Sequence, residues 1–164
     1  MAFAEAPMPM VKMLLVFLAT LIAGNVLLIL VQIYLPDLPM PGSVGIVFAM
    51  IASMSAGGTA ATALGRGLVA REKLTFAAAA TAASLVLTLA FVWGLFAWNG
   101  VPLTMENLLV ALTDDAAATA EVTAVLPWIV LFAIVVSLLV CYFGVGFGAK
   151  NQLRAVARKA AKGK

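Results

Sequence analysis

Residues 122–149 read VTAVLPWIVLFAIVVSLLVCYFGVGFGA, a stretch without one Asp, Glu, Lys or Arg. A helix of roughly 20 residues crosses about 30 Å of hydrocarbon, and this run exceeds that length. Three further runs, 13–36, 38–65 and 74–105, are equally free of charge. An unpaired peptide group in lipid costs several kcal/mol, so a spanning segment is a helix or part of a closed barrel, and these runs lack the period-two polarity of a barrel strand. The sequence therefore predicts an all-α integral membrane protein, a bundle of four transmembrane helices over about 12–35, 43–65, 74–98 and 123–149 within residues 1–149. Composition points the same way. Of 164 residues 65% are apolar and 10% charged, and the mean hydropathy is +1.14. An average soluble domain carries about 25% charge, and a disordered chain has low hydrophobicity, so both classes are excluded.

The connections fit these spans. Pro36, Pro39, Pro41 and Gly42 break the chain after the first helix, and Asn99, Gly100 and Pro102 end the third. Two readings stand at Pro127: it begins the spanning part of the fourth helix, or it lies inside a longer helix capped near Thr113, where Asp114 and Asp115 favour the positive helix end. Met105, Leu108, Leu109 and Leu112 fall at i, i+3, i+4 and i+7, an apolar stripe that predicts a short periplasmic interfacial helix, with Glu106 and Asn107 on its other face. The first apolar run is longer than the 7 to 15 residues of a signal-peptide core, and a retained helix is expected.

The charges separate by side. Lys12 precedes the first helix, Arg66, Arg71 and Lys73 join the second and third, and Lys150, Arg154, Arg158, Lys159, Lys162 and Lys164 follow the fourth. The alternate connections hold Asp37, Glu106, Asp114, Asp115 and Glu121 with no Lys or Arg. The positive-inside bias then places both termini in the cytoplasm of a bacterial cell, with the chain multi-pass in the inner membrane. Tyr34, Trp93, Trp98 and Trp128 lie toward the outer helix ends, where amphipathic rings rest at the head groups.

Helix association in lipid gains little from the hydrophobic effect, so close backbone approach, dispersion and interhelical hydrogen bonds must supply it. On the second helix Gly45, Ala49, Ser53, Gly57, Ala61 and Gly65 repeat every four residues, with a second row at Ala52, Ala56 and Ala60. Ala80, Ser84 and Thr88 on the third helix, and Gly144 and Gly148 on the fourth, offer complementary small faces. These rows pack the chain's own helices or provide a seam for another protein. Replacing Ser53 or Gly57 with Leu is expected to disrupt folding or assembly. Polar groups within the spans are few: Asn25, Gln32, Thr59, Thr62, Thr81, Ser84, Thr88 and Ser137. Asn25 is the candidate for an interhelical hydrogen bond, worth about 0.6 to 2 kcal/mol. None of these groups is ionisable, which counts against ion-coupled transport.

Beyond Ala149, Lys150, Arg154, Arg158 and Lys162 recur every four residues. The fourth helix is expected to continue into a basic cytoplasmic tail over 150–164, resting on anionic lipid or on an acidic partner surface. Without an aromatic residue for stacking, the tail does not read as a nucleic-acid binder.

No histidine occurs, and Cys141 stands alone, which removes His-ligated haem, His-containing zinc sites and an internal disulfide. No phosphate loop or catalytic triad is present, and Gly144, Gly146 and Gly148 lie inside a predicted helix rather than at a strand-to-helix turn. Asp114, Asp115 and Glu121 are explained more simply by helix capping than by a divalent cation. The sequence thus nominates no catalytic residue, no cofactor and no metal, and predicts a non-enzyme.

Between Gly57 and Leu74 a Gly-containing second helix leads through Gly65 and Arg66 to Glu72 and Lys73, which open an alanine- and leucine-rich third helix. This pattern resembles an uncharacterised family of small four-helix bacterial inner-membrane proteins, although the proline of that turn is missing. The resemblance implies no activity and carries over no functional residue. Small multidrug transporters share the helix count, but their pattern needs a membrane-embedded Glu in the first helix, where this chain has Asn25 and Gln32. The functional expectation is a non-catalytic accessory or assembly subunit of a larger inner-membrane complex, whose partners are membrane lipids and other integral membrane subunits. The alternatives are a small passive transporter or channel, or a membrane resistance or immunity protein.

Overall fold

A computed structural model describes residues 8–35, 44–104, 107–108, 110 and 119–162. Among them the chain is all-α, with α1 over Met10–Tyr34, α2 over Val44–Leu64, α3 over Ala70–Trp98 and α4 over Thr119–Lys162. All four helices are long and apolar enough to cross a membrane. Their outward surfaces agree: Ile33, Val86, Leu89 and Phe132 are 65–70% exposed. Side chains of this kind on long helices need hydrocarbon around them, and the protein is a membrane protein.

Local chemistry sets the helix ends. Gly65 takes φ +65° and its N–H donates to the Ala61 carbonyl at 2.9 Å, ending α2 with a left-handed residue that only glycine adopts cheaply. Gly100, at φ +66°, ends α3 in a Schellman motif: the Val101 N–H donates to the Phe96 carbonyl at 3.0 Å and the Gly100 N–H to the Ala97 carbonyl at 3.2 Å. At the start of α3, Glu72 reaches back to accept the Val69 N–H at 2.9 Å, half of a capping box. Pro127 lies inside α4, within a helix that already exists at Thr119. With 44 residues α4 is about 66 Å long, more than twice the hydrocarbon thickness, so part of it projects beyond the bilayer.

The chain divides into two compact units, one holding the described residues up to Thr81 and from Ser137 onward, the other those from Ala82 to Val136. The first unit contains the buried core. Met13 and Phe17 of α1, Phe76 and Ala77 of α3, and Ala52, Ala56 and Ala60 of α2 are fully covered there. Phe17 and Phe76 meet edge to face, ring centroids 5.9 Å apart at 88°. That geometry sets the positive ring edge against the negative face. Gly24 of α1 lies against the Phe48 ring of α2, where an added Cβ would stand 2.6 Å from Cδ1.

The second unit comprises the later part of α3, the early part of α4 and the turn between Asn99 and Thr104, and none of its described side chains is buried. Trp93, Trp98 and Trp128 are all exposed there, as is Tyr34 in the first unit. Of the expected interfacial helix, Met105, Glu106, Leu109 and Leu112 lie outside the described residues, as do Asp37, Asp114, Asp115 and the Glu121 side chain. Asn107 and Leu108 are helical, and Thr104 starts that turn, its Oγ1 accepting the Asn107 N–H at 3.2 Å.

Candidate functional site

In the first unit α2 and α4 approach each other backbone to backbone. A Cβ built on Gly57 would collide with the Val145 carbonyl oxygen, and one built on Gly148 would collide with the Met54 carbonyl oxygen. Each glycine thus accommodates a carbonyl of the opposite helix, and the hydrogen that a side chain would replace points at that oxygen, a Cα–H···O contact. Gly144 lies beneath Ser53, whose Cβ would be 2.7 Å from an added methyl. Ser53 and Gly57 of one four-residue row and Gly144 and Gly148 of the other form this seam, and Ala61, next in the first row, is buried. The second row, Ala52, Ala56 and Ala60, is buried as well.

The ends of the long row behave differently. Gly45 and Gly65 have no neighbour within 4 Å of an added Cβ, and both are exposed. Gly65 serves as the helix terminator described above rather than as a packing position, and Ala49 is half-buried. The physical reason is the 40° drift of a four-residue step around a 3.6-residue helix, which carries the row's ends off a single contact line. Of the complementary row on α3, Ala80 is buried, Ser84 is half-buried, and Thr88 is exposed with its hydroxyl on the Ser84 carbonyl.

Polar groups in the seam are satisfied locally. Ser53 Oγ donates to the Ala49 carbonyl at 2.7 Å, and Ser53 of α2, Thr81 of α3 and Cys141 of α4 are all buried. Gly146, on another face of α4, leaves room for the Lys73 stem, whose nearest carbon would stand 3.4 Å from an added Cβ. The Lys73 ammonium lies 5.8 Å from the Tyr142 ring centroid, a cation–π approach.

Among the described residues Asn25 makes no bond between helices. It is exposed, and its Nδ2 donates to the Leu21 carbonyl of its own helix at 2.9 Å, which corrects the expectation of an interhelical bond. Among the described residues an interhelical hydrogen bond lies elsewhere: Gln152 Nε2 of α4 donates to Thr62 Oγ1 of α2 at 3.3 Å. Sequence reasoning passed over Gln152, although it continues the Gly144 and Gly148 spacing by one more four-residue step.

Beside the seam runs a groove of about 670 Å³ between α2 and α4, walled by Ile51, Ser55, Gly58, Thr62, Gly148 and Gln152 among others. The hydroxyls along it are turned inward: Ser55 donates to Ile51, Thr59 to Ser55 and Thr62 to Gly58, each to a carbonyl of α2 at 2.9–3.0 Å. On α4 Lys150, Arg154, Arg158 and Lys162 are all exposed.

At the α2–α3 turn Arg66 grips Glu72 with two parallel hydrogen bonds, Nη1 to Oε2 at 3.0 Å and Nη2 to Oε1 at 2.9 Å. The pair precedes the uncharged run that begins at Leu74, and so lies at the polar end of α3. The Arg66 hydrogen bonds hold the Glu72 carboxyl below its ordinary pKa, outweighing the opposing effect of burial, and the Val69 N–H adds to the lowering.

No family model, curated protein or solved structure matches this chain. Its chemistry is therefore read from its own residues. Among the described residues no group of three or more His, Cys, Asp or Glu is placed to hold a metal ion. What the arrangement provides is a tight helix seam, a groove of committed hydroxyls and a row of exposed cations.

Proposed function

We propose that this chain is a non-catalytic accessory or assembly subunit of a larger bacterial inner-membrane complex, with both termini in the cytoplasm. The observation that carries the reading is the second unit, whose described helical stretches, 82–98 and 123–136, bury no side chain of their own. Lipid or another protein must cover them, and a helical surface of this extent is what a subunit presents to its neighbours. The orientation rests on the placement of every Lys and Arg on one side of the four crossings. On this reading the α2–α4 seam holds the subunit's own fold, while the exposed cations of α4 contact lipid head groups or a partner.

Extraction in a mild detergent followed by mass spectrometry of the co-purifying chains tests the subunit role. The expected result is an integral membrane partner at reproducible stoichiometry. Recovery of this chain alone, at every detergent strength that keeps it folded, would overturn it.

A further inference from the structure

The groove beside the seam has a length, a polarity and a charged extension that together select an occupant. Its α2 wall runs from Ile51 to Thr62, about 17 Å at 1.5 Å per residue. That is close to the depth of one leaflet, half of about 30 Å of hydrocarbon, whereas a transmembrane partner helix would need a face twice as long. The α2 hydroxyls also offer a partner helix no hydrogen to share. Ser55, Thr59 and Thr62 give their hydrogens to α2's own carbonyls, so these hydroxyls have no donor left for a neighbouring helix.

The charge lies in register with the groove. On α4 the wall residues Gly148, Gln152 and Ala155 stand at i, i+4 and i+7, and the next positions of that face, i+11 and i+14, are Lys159 and Lys162. Both are exposed, in the last turns of a helix that runs unbroken to Lys162. Lys150 projects about 160° away from Gly148 and Gln152 and does not extend the groove. Of the evenly spaced four of the sequence pattern Lys162 is thus aligned with it, and Lys159, outside that pattern, joins it.

We infer that the groove holds one anionic phospholipid from the leaflet on the Lys and Arg side. An acyl chain lies along Ile51, Gly58 and Gly148, and the phosphate faces the amide end of the groove, toward the Lys159 and Lys162 ammonium groups. The site does not depend on the subunit role, because a chain without protein partners would hold the same lipid.

The test uses the full chain reconstituted with phosphatidylglycerol and phosphatidylcholine in equal parts, then released for native mass spectrometry. The expected result is one retained phosphatidylglycerol per chain. Gly58→Leu fills the groove, since an added Cβ there meets only ordinary contacts at 3.9 and 4.0 Å, and it should lose the lipid while its helix content and melting are retained. Ser55→Leu serves the same purpose from the next turn. Lys159→Gln with Lys162→Gln should keep a bound lipid but lower the preference for the anionic head group about tenfold, an effect that salt also weakens. The charge-matched pair Lys12→Gln with Arg71→Gln, on α1 and α3, should leave the preference unchanged. Equal retention of both lipids by the unaltered chain, undiminished retention in both groove-filled variants, or a dimer trapped by oxidation through Thr59→Cys would each overturn the inference. Recovery of the lipid without any protein partner would count against the subunit role alone.

Discussion

Adding one methyl group at Gly148 tests the seam at its tightest point. A Cβ there would stand 2.6 Å from both the carbonyl carbon and the Cα of Met54, whereas ordinary contact begins near 3.4 Å. The helices must therefore part by at least about 0.8 Å, more to clear the carbonyl oxygen, and the obstructing atoms are backbone, which cannot rotate aside. A gap of 0.5–1 Å forfeits about a quarter to a half of each dispersion contact, and overpacking of a close-fitted interior costs about 1–3 kcal/mol. Gly148→Ala should fall in the upper part of that range. Gly58→Ala, on the groove side of α2, provides the contrast: its Cβ would meet only Gln152 Cβ at 3.9 Å and the Gly148 carbonyl oxygen at 4.0 Å. There the exchange of Gly for Ala in a helix interior should stabilise by about 0.5–1 kcal/mol. Reversible unfolding in mixed micelles, followed by helical circular dichroism, measures both. If Gly148→Ala proves as stable as the unaltered chain, the backbone-to-backbone reading of the α2–α4 seam is wrong.

Three further substitutions probe other parts of the account. Asn25→Leu should change stability by no more than about 0.5 kcal/mol, because the amide bonds only its own helix, and a larger loss in the same unfolding assay would reveal a bond between helices. A double-mutant cycle with Phe17→Leu and Phe76→Leu should yield a coupling of about 0.5–1.5 kcal/mol from the edge-to-face pair, and additivity of the two changes would contradict the contact. Glu72 titrates below its ordinary value of 4.5 in the folded chain, so the unfolded chain binds that proton first. The contribution of the Arg66 pair is accordingly full above that ordinary value and lost as pH falls through the lowered folded value. Melting curves between pH 7 and 3 should show this acid loss in the unaltered chain and a shallower one in Glu72→Gln. Parallel curves for the two would remove the pair from the stability of the turn.

The sequence reveals the helices because membrane insertion is written in composition: an uncharged run of sufficient length has no structural option in lipid except a helix. It also reveals residues of the seam, since Ser53, Gly57, Gly144 and Gly148 are small at a spacing that keeps one helix face narrow. The limits of that row were not legible. Gly45 and Gly65 obey the same spacing, yet whether a glycine sits beneath a neighbour or terminates a helix is decided by the crossing angle and by φ, neither of which a four-residue period contains. Asn25 misled for a related reason. An amide in a membrane helix must satisfy its donors, but the Leu21 carbonyl one turn earlier satisfies one of them without any neighbour. Gln152 was obscured by the basic tail around it, where a polar residue attracts no attention, and only the approach of Thr62 across the seam identifies it. The Arg66 and Glu72 pair depends on the left-handed turn at Gly65, which folds the loop back onto the first turn of α3.

Thiol labelling from outside the cell tests the proposed path of the chain through the bilayer most directly. With Cys141→Ala as background, single cysteines replace Leu35 and Asn99 on the proposed outer side and Gly67 and Lys162 on the proposed inner side, and intact bacterial cells are treated with a membrane-impermeant maleimide. The account predicts labelling at positions 35 and 99 and protection at 67 and 162 until the cells are opened. Labelling of position 67 or 162 in intact cells, or protection of both 35 and 99, would contradict it.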